Sequence, residues 1–161
     1  MIQAVIFDFD LTLFDSTLLK TYMNKRQWSM VYKNIPNCLL YDGVIDTLKQ
    51  LKQRSIKLAI VSNAPSTYVN KVLEYYKIKD YFDFIVCYHD VKQPKPQPEG
   101  IYKVLNLFQI SSNEAIFIGD NDIDNTTAKN ANMLFYGVEW GSFAEKVNFI
   151  NYYTFNYSKK K

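Results

Sequence analysis

Cysteine is scarce in this 161-residue chain, and the two present, Cys38 and Cys87, are far apart and fall in no paired ligand motif. That usage lends no support to a disulfide and predicts reduced thiols in a cytoplasmic protein. Long apolar runs are missing too. None approaches the roughly 18 residues needed to span a bilayer. The opening Met1-Ile2-Gln3-Ala4-Val5-Ile6-Phe7-Asp8 has no basic region and soon meets a carboxylate, so it predicts neither a signal peptide nor a membrane anchor. Nor is there an excess of one charge across the chain: 19 Lys and Arg face 16 Asp and Glu, and Lys159 to Lys161 supply the whole surplus of +3. A neutral body lacks the basic face that displaces counterions from duplex DNA, which leaves nucleic acid only as a candidate substrate. Hydrophobic residues at 48% and charged residues at 22% exclude disordered and collagen-like classes, and the length predicts one domain over residues 1–161.

Short apolar runs alternate with segments of helical period, the pattern of βα units and a mainly parallel sheet. Val5-Ile6-Phe7, Leu58-Ala59-Ile60-Val61, Phe84-Ile85-Val86-Cys87 and Ala115-Ile116-Phe117-Ile118 read as buried strands, with Met133-Leu134-Phe135-Tyr136 as a fifth. Apolar positions three and four apart mark helices at Val44, Leu48 and Leu51, at Val69, Val72, Leu73 and Tyr76, and at Ile101, Val104, Leu105 and Phe108. The architecture predicted is a three-layer α/β fold. Residues 15–40 break the alternation, with a helical stretch through Leu18, Leu19, Tyr22 and Met23 and then a polar, aromatic region holding Trp28, Tyr32 and Pro36. An insertion there lies beyond the first strand's C-terminal end, over the edge where open α/β sheets bind ligands.

Acidic and small polar residues collect at three strand ends. The first strand runs into Asp8-Phe9-Asp10-Leu11-Thr12, the second into Ser62-Asn63 and the fourth into Gly119-Asp120-Asn121-Asp122-Ile123-Asp124. Parallel strands present these ends along one edge, so Asp8, Asp10, Ser62, Asp120 and Asp124 are expected to converge. Clustered carboxylates raise one another's pKa and destabilise a fold unless a cation is present. Oxygen donors with room for water and a phosphate oxygen suit Mg²⁺. Lys95, in Lys95-Pro96-Gln97-Pro98, follows the third strand in a backbone restrained by proline and completes the set.

In order and position these segments resemble the four motifs of the haloacid dehalogenase superfamily of phosphohydrolases. Asp8-Phe9-Asp10-Leu11-Thr12-Leu13 is similar to the first, Val61-Ser62-Asn63 to the second, Lys95-Pro96-Gln97-Pro98 to the third, and Gly119-Asp120 with Asp124 to the fourth. Val138-Glu139-Trp140-Gly141 is similar to the stretch after that superfamily's last core strand. The resemblance implies a Rossmann-like three-layer fold with a minimal cap at residues 15–40, and a Mg²⁺-dependent phosphomonoesterase working through an aspartyl-phosphate on a phosphorylated substrate. It makes Asp8 the nucleophile, Asp10 the general acid and base, and Lys95 the charge-balancing group. It gives Asp8, Asp10 (through its carbonyl), Asp120 and Asp124 to the metal. Phosphate contacts fall to Ser62 and Asn63, and to Thr12, which also fixes the loop.

Two departures carry conformational consequences. Leu11 stands where the family often has Gly, so a residue that disfavours positive φ must make the turn, and Asn132 stands where Gly is usual. Asp42-Gly43 replaces a more usual Pro-Gly pair. Plainer roles compete for several residues: first-turn acids for Asp122 and Asp124, a cap before Pro65 for Ser62 and Asn63, internal packing for Tyr22, Trp28 and Tyr32, a surface loop for His89, and a docked or solvated end for Tyr152 to Lys161. A phosphate-accepting signalling module, a silent binding protein, a phosphotransferase and a phosphonatase are the alternative functions. Against the first, Asp8 follows the first strand, whereas receiver domains carry their phosphorylated Asp after an interior one.

Overall fold

The structure, a computed structural model, describes residues 1–138 and Trp140. The tail at Tyr152 to Lys161, like Glu139 and Gly141, lies outside the described residues. The chain opens with β1 (Ala4–Phe7). The insertion follows, running from β2 (Phe14–Asp15) through α1 (Lys20–Asn24) and α2 (Trp28–Asn34) to β3 (Leu39–Leu40). Then come α3 (Val44–Gln53), β4 (Lys57–Val61), α4 (Ser66–Tyr75), β5 (Phe84–Val86), α5 (Glu99–Phe108), β6 (Ala115–Gly119), α6 (Asp122–Asn130) and β7 (Leu134–Gly137).

Five strands form one parallel sheet in the order β5-β4-β1-β6-β7. Alternation along β1 builds the three layers. Val5 and Phe7 pack with Leu58, Ile60, Ile116 and Ile118 beneath α3 and α4, while Ala4 and Ile6 pack with Ala59, Val61, Ala115 and Phe117 against α5 and α6. The segments read as strands all enter the sheet with small shifts at their ends: Cys87 falls just beyond β5, and the last strand starts at Leu134 rather than Met133. Among the described residues, no helix is long and apolar enough to cross a membrane.

The register brings the strand ends together. Phe7 is level with Ile60 on one side and Ile118 on the other, so Asp8, Val61 and Gly119 leave the sheet side by side. The connections from β1 and β4 run toward one edge and those of β6 toward the other, so the crevice at β1 is the topological switch point. The insertion returns to the sheet through an antiparallel pair, Phe14 with Leu40 and Asp15 with Leu39. Its Leu19, Val31, Ile35 and Cys38 join the core under α3 and α4, which holds the insertion close to the sheet edge.

Candidate active site

The loop after β1 turns at Leu11, whose φ of 61° is left-handed. The amides of Thr12, Leu13 and Phe14 all donate to the Phe9 carbonyl, and the Leu11 amide donates to Phe14. These bonds hold a leucine in a conformation ordinarily left to glycine. Asn132 adopts the same region with φ 51°. From β7's side, Trp140 Nε1 donates to the Thr12 carbonyl at 3.1 Å while its ring stacks on Tyr41. The stretch at Val138 and Trp140 thus pins the loop that carries Asp8 and Asp10.

Lys95 is the hub of the floor. Its Nζ lies 2.6 Å from Asp8 Oδ1 and 2.6 Å from Asp124 Oδ1, with all three side chains buried. Burial by itself would lower the Lys95 pKa, but the Asp8 and Asp124 carboxylates more than offset it and hold the ammonium above its ordinary range. Lys92, three residues before it, is exposed. The main chain at Lys95 is clamped by Asn63, whose Oδ1 accepts from the Lys95 amide at 3.0 Å and whose Nδ2 donates to the Lys95 carbonyl at 2.9 Å.

Asp124 reaches the floor because Gly119 has no side chain. A Cβ on Gly119 would sit 2.6 Å from the Asp124 carboxylate, so the first turn of α6 closes on the end of β6 only with glycine there. Asn121 caps that helix by accepting from the Asp124 amide at 3.1 Å, and Asp124 Oδ2 accepts from the Asp120 amide at 3.2 Å. Asp122 is exposed on the first turn. Burial first, then the Asp8 charge, pushes the Asp124 carboxyl up.

Asp10 occupies a different environment two residues from Asp8. Tyr68 of α4, itself buried, donates its hydroxyl to Asp10 Oδ1 at 2.7 Å. Burial raises the Asp10 carboxyl to about 6, only partly offset by hydrogen bonds from Tyr68 and Ser16. Thr12, expected near the phosphate, lies beneath the floor. It is fully buried, donates to Asp8 Oδ2 at 3.1 Å with Asp120 Oδ1 at 3.5 Å, and is not among the residues lining the cavity. Asn63 lines the cavity, but its amide is engaged with Lys95. Ser62 also lines it, and its Oγ accepts from the Ala64 amide at 3.0 Å. Neither Ser62 nor Asn63 caps α4, whose N-cap is Pro65.

Asp8, Asp120 and Asp124 each offer a carboxylate oxygen, and these atoms lie within 4.8 Å of one another. Four buried or half-buried acids, Asp10 included, face one ammonium. That negative surplus and the all-oxygen donor set fit a hard divalent cation such as Mg²⁺. Both Asp124 oxygens already accept hydrogen bonds, which suits it to hold Lys95 and the Asp120 loop as much as to touch a metal.

Above the floor opens a cavity of about 730 Å³. Its lining includes residues that sequence reasoning left aside: Arg26 and Met23 from the insertion, Tyr88 and His89 after β5, and Ile123 on α6. His89 follows a strand's C-terminal end, the same signal that located the acids, whereas Arg26 sits between two short helices with no motif to mark it. Trp28 packs against Tyr32 and Tyr68 and also lines the cavity.

A strand-end carboxylate paired with a buried ammonium, beside a carboxylate cluster at the switch point of a doubly wound sheet, is the arrangement the structure presents. Residues 17–138 match the model of the haloacid dehalogenase-like hydrolases, and the chain belongs to that family. It is 34% identical over 106 residues to phosphoglycolate phosphatase 1 of Pseudomonas aeruginosa, covering 63% of this chain and 39% of that protein. Over 91 residues it is 37% identical to the pyrophosphatase PpaX of Halalkalibacterium halodurans, covering 56% and 42%. The match therefore spans about two fifths of these curated relatives. Among solved structures, a subfamily IA hydrolase of the superfamily from Geobacter sulfurreducens superposes with a TM-score of 0.73 at 26% identity, over 85% of this chain and 89% of that one.

Proposed function

We propose that this protein is a Mg²⁺-dependent phosphomonoesterase that works through an aspartyl-phosphate on Asp8. The observation that carries the reading is the contrast between two aspartates two residues apart: Asp8 ion-paired to Lys95 at 2.6 Å, Asp10 raised to about 6 by burial. Environments that separate neighbouring carboxyls in this way assign one to attack and the other to proton transfer.

Asp8 attacks phosphorus with a carboxylate oxygen, and the P–O bond to the leaving alcohol breaks as Asp10 delivers its proton to that oxygen. Water then gives a proton to Asp10 while its oxygen attacks phosphorus. The bond to Asp8 breaks, inorganic phosphate leaves, and both carboxyls return to their starting states. Lys95 stays charged throughout and balances negative charge on Asp8 and the transferring group. Ser62, whose Oγ accepts from Ala64, keeps its own proton for a phosphate oxygen. Asp8, Asp120 and the Asp10 carbonyl would hold the Mg²⁺, with Asp124 behind them; when bound it supplies charge neutralisation for the phosphoryl group.

The insertion, with two short helices, leaves the cavity roomy enough for a leaving group much larger than phosphate itself. Phosphate release from a broad panel of phosphomonoesters, with Mg²⁺ and with chelator, tests the reading. Mg²⁺-dependent turnover is expected, falling by about 10³-fold or more in Asp8→Asn. Undiminished turnover in a folded Asp8→Asn protein would remove Asp8 as nucleophile.

A further inference from the structure

Beyond its floor, the cavity is walled by Met23, Arg26, Trp28, Tyr88, His89 and Ile123. These six are a selective set. They include no carboxylate, and the side-chain amides elsewhere in the lining, Asn63 and Asn121, are already bonded to Lys95 and to Asp120 and the Asp124 amide, so few groups are left to hold polyol hydroxyls in pairs and the wall is ill-suited to a bare sugar. They include one arginine as fixed cation, which is few for a compact polyanion such as diphosphate. A purely aliphatic alcohol would leave Arg26 and His89 without a use. What the set does offer is flat surface with polar edges: an indole, a phenol, an imidazole and a guanidinium are the side chains on which unstacked nucleobases rest.

Placement supports the same occupant. Trp28 is fixed from behind, its ring 6.2 Å from Tyr68 and 6.3 Å from Tyr32, and Tyr68 is itself bonded to the acid Asp10. The indole is thus a rigid plate tied to the catalytic floor. Tyr88 is 46% exposed and meets the His89 ring edge-on at 5.1 Å, giving a second flat element in the lining, after β5. Arg26 is exposed at the turn between α1 and α2 with φ 54°, on the insertion side. A ring entering from solvent meets flat groups from both the insertion and the strand end.

We infer that the leaving group carries a nucleobase, seated among Trp28, Tyr88 and Arg26, so that the substrate is a nucleotide bearing a terminal phosphomonoester. This rests on the phosphomonoesterase reading and narrows it to a substrate class. The base would be bound by its faces, which every base shares, so little discrimination among bases is expected.

The test compares kcat/KM for a nucleoside 5′-monophosphate, for ribose 5-phosphate, which lacks only the base, and for a 5′-phosphorylated oligonucleotide. The mononucleotide or the oligonucleotide is expected to exceed ribose 5-phosphate by about tenfold or more, as stacking of one base supports. Whichever is faster tells whether the base belongs to a free nucleotide or a nucleic-acid end. Trp28→Leu and Tyr88→Ala should each shrink that ratio severalfold, whereas Trp28→Phe, keeping a ring, should retain most of it. Tyr88 is surface-exposed, so its variant reports even if changes at Trp28 disturb folding. Equal kcat/KM with and without the base overturns the inference. So does a preference for a small phosphorylated carboxylic acid that disappears in Arg26→Ala, since that result would give the wall to a second anion.

A binding arm separates this inference from the reading beneath it. In Asp8→Asn with Mg²⁺, the mononucleotide should quench tryptophan fluorescence, and the Trp28→Phe background should lose most of that signal. Quenching by nucleotide but not by ribose 5-phosphate, with no hydrolysis of any phosphoester by the unmodified protein, keeps the base site and discards the phosphatase. Brisk hydrolysis with no base preference does the reverse.

Discussion

At the floor of the cavity, Asp8, Lys95, Asp120 and Asp124 are buried and come from the ends of β1 and β6, the loop after β5 and the first turn of α6, cross-linked by bonds of 2.6 to 3.2 Å. At the wall, Arg26 and Tyr88 stand exposed on short turns and loops, and Ile123 is exposed on the first turn of α6. Residues placed by strand register and mutual hydrogen bonding cannot shift singly, which is what reacting atoms need. Residues on an insertion can change without disturbing the sheet, which is what a specificity surface needs. Substitutions at the floor should therefore lower kcat, and substitutions at the wall should raise KM.

The largest combined loss of activity and stability is expected from Lys95→Met. It leaves Asp8 and Asp124 buried with like charge and no ammonium between them, so kcat/KM should fall by about 10³-fold. Breaking a buried pair from one side costs on the order of 3–5 kcal/mol of stability. Thermal melts in chelator should show that loss, and Mg²⁺ should restore part of it if the acids share a cation. Gly119→Ala comes next. The added methyl meets the Asp124 carboxylate at 2.6 Å, so the first turn of α6 must move away from β6. A drop of about 10²-fold in kcat is expected, because small displacements of a catalytic group have that effect. If KM rises while kcat stays constant, Asp124 belongs with the wall.

Asp10 allows the division to be tested through pH. Its carboxyl is raised to about 6 in the folded protein by burial, against about 3.9 in an unfolded chain. Between those values the folded state binds more protons than the unfolded one, so stability falls as pH climbs from about 4 to 6, and the penalty is complete above 6. Asp10→Asn keeps an acceptor for Tyr68 and carries no charge. In chelator it should be more stable than the unmodified protein by about 3 kcal/mol at pH 8, the gain largely gone by about pH 4. Its turnover should nonetheless be lost. Equal stability of the two proteins at pH 8 would show that Asp10 carries no burial penalty.

Much of this could be read from the chain because β strands and their C-terminal ends have strong local signatures. Buried runs such as Leu58-Ala59-Ile60-Val61 announce themselves by composition, and in a parallel sheet whatever follows such a run is at the rim. That rule puts Asp8 and Asp120 at the rim, while Lys95, eight residues beyond Cys87, is marked by its Lys95-Pro96-Gln97-Pro98 setting. The left-handed turn at Leu11 was legible too, as a mismatch between residue and required conformation. For Thr12 and Asn63 a motif gives neighbourhood and not direction: one is bonded to Asp8 and the other to Lys95. Whether a hydroxyl or amide faces the ligand or braces the loop depends on bonds made across the sheet, such as Asn63 to Lys95 over 32 positions. Arg26 and Tyr68 were missed for the same reason: one lies in an irregular loop, and the other looks like any aromatic on a helix's buried face.

Tyr68 is where floor and wall meet, and it yields the smallest and most diagnostic effect. Its hydroxyl orients Asp10, while its ring backs Trp28. In Tyr68→Phe the ring and its packing remain and only the hydrogen bond to the acid is lost, so a purely structural role predicts no kinetic change. A bond from a neutral donor to a carboxylate is worth about 1.5–3 kcal/mol, of which a part should appear as misorientation of the acid. About a tenfold fall in kcat/KM is therefore expected for alkyl phosphates, whose leaving oxygen needs a proton as the bond breaks. Much less loss is expected for p-nitrophenyl phosphate, whose leaving group departs as a stable anion. The ratio between the two substrates is the measurement, because kcat/KM stops at the first irreversible step and excludes the later use of Asp10 as base. No loss on either substrate, or equal losses on both, would place Tyr68 with the wall, as a residue that shapes the cavity without steering the proton.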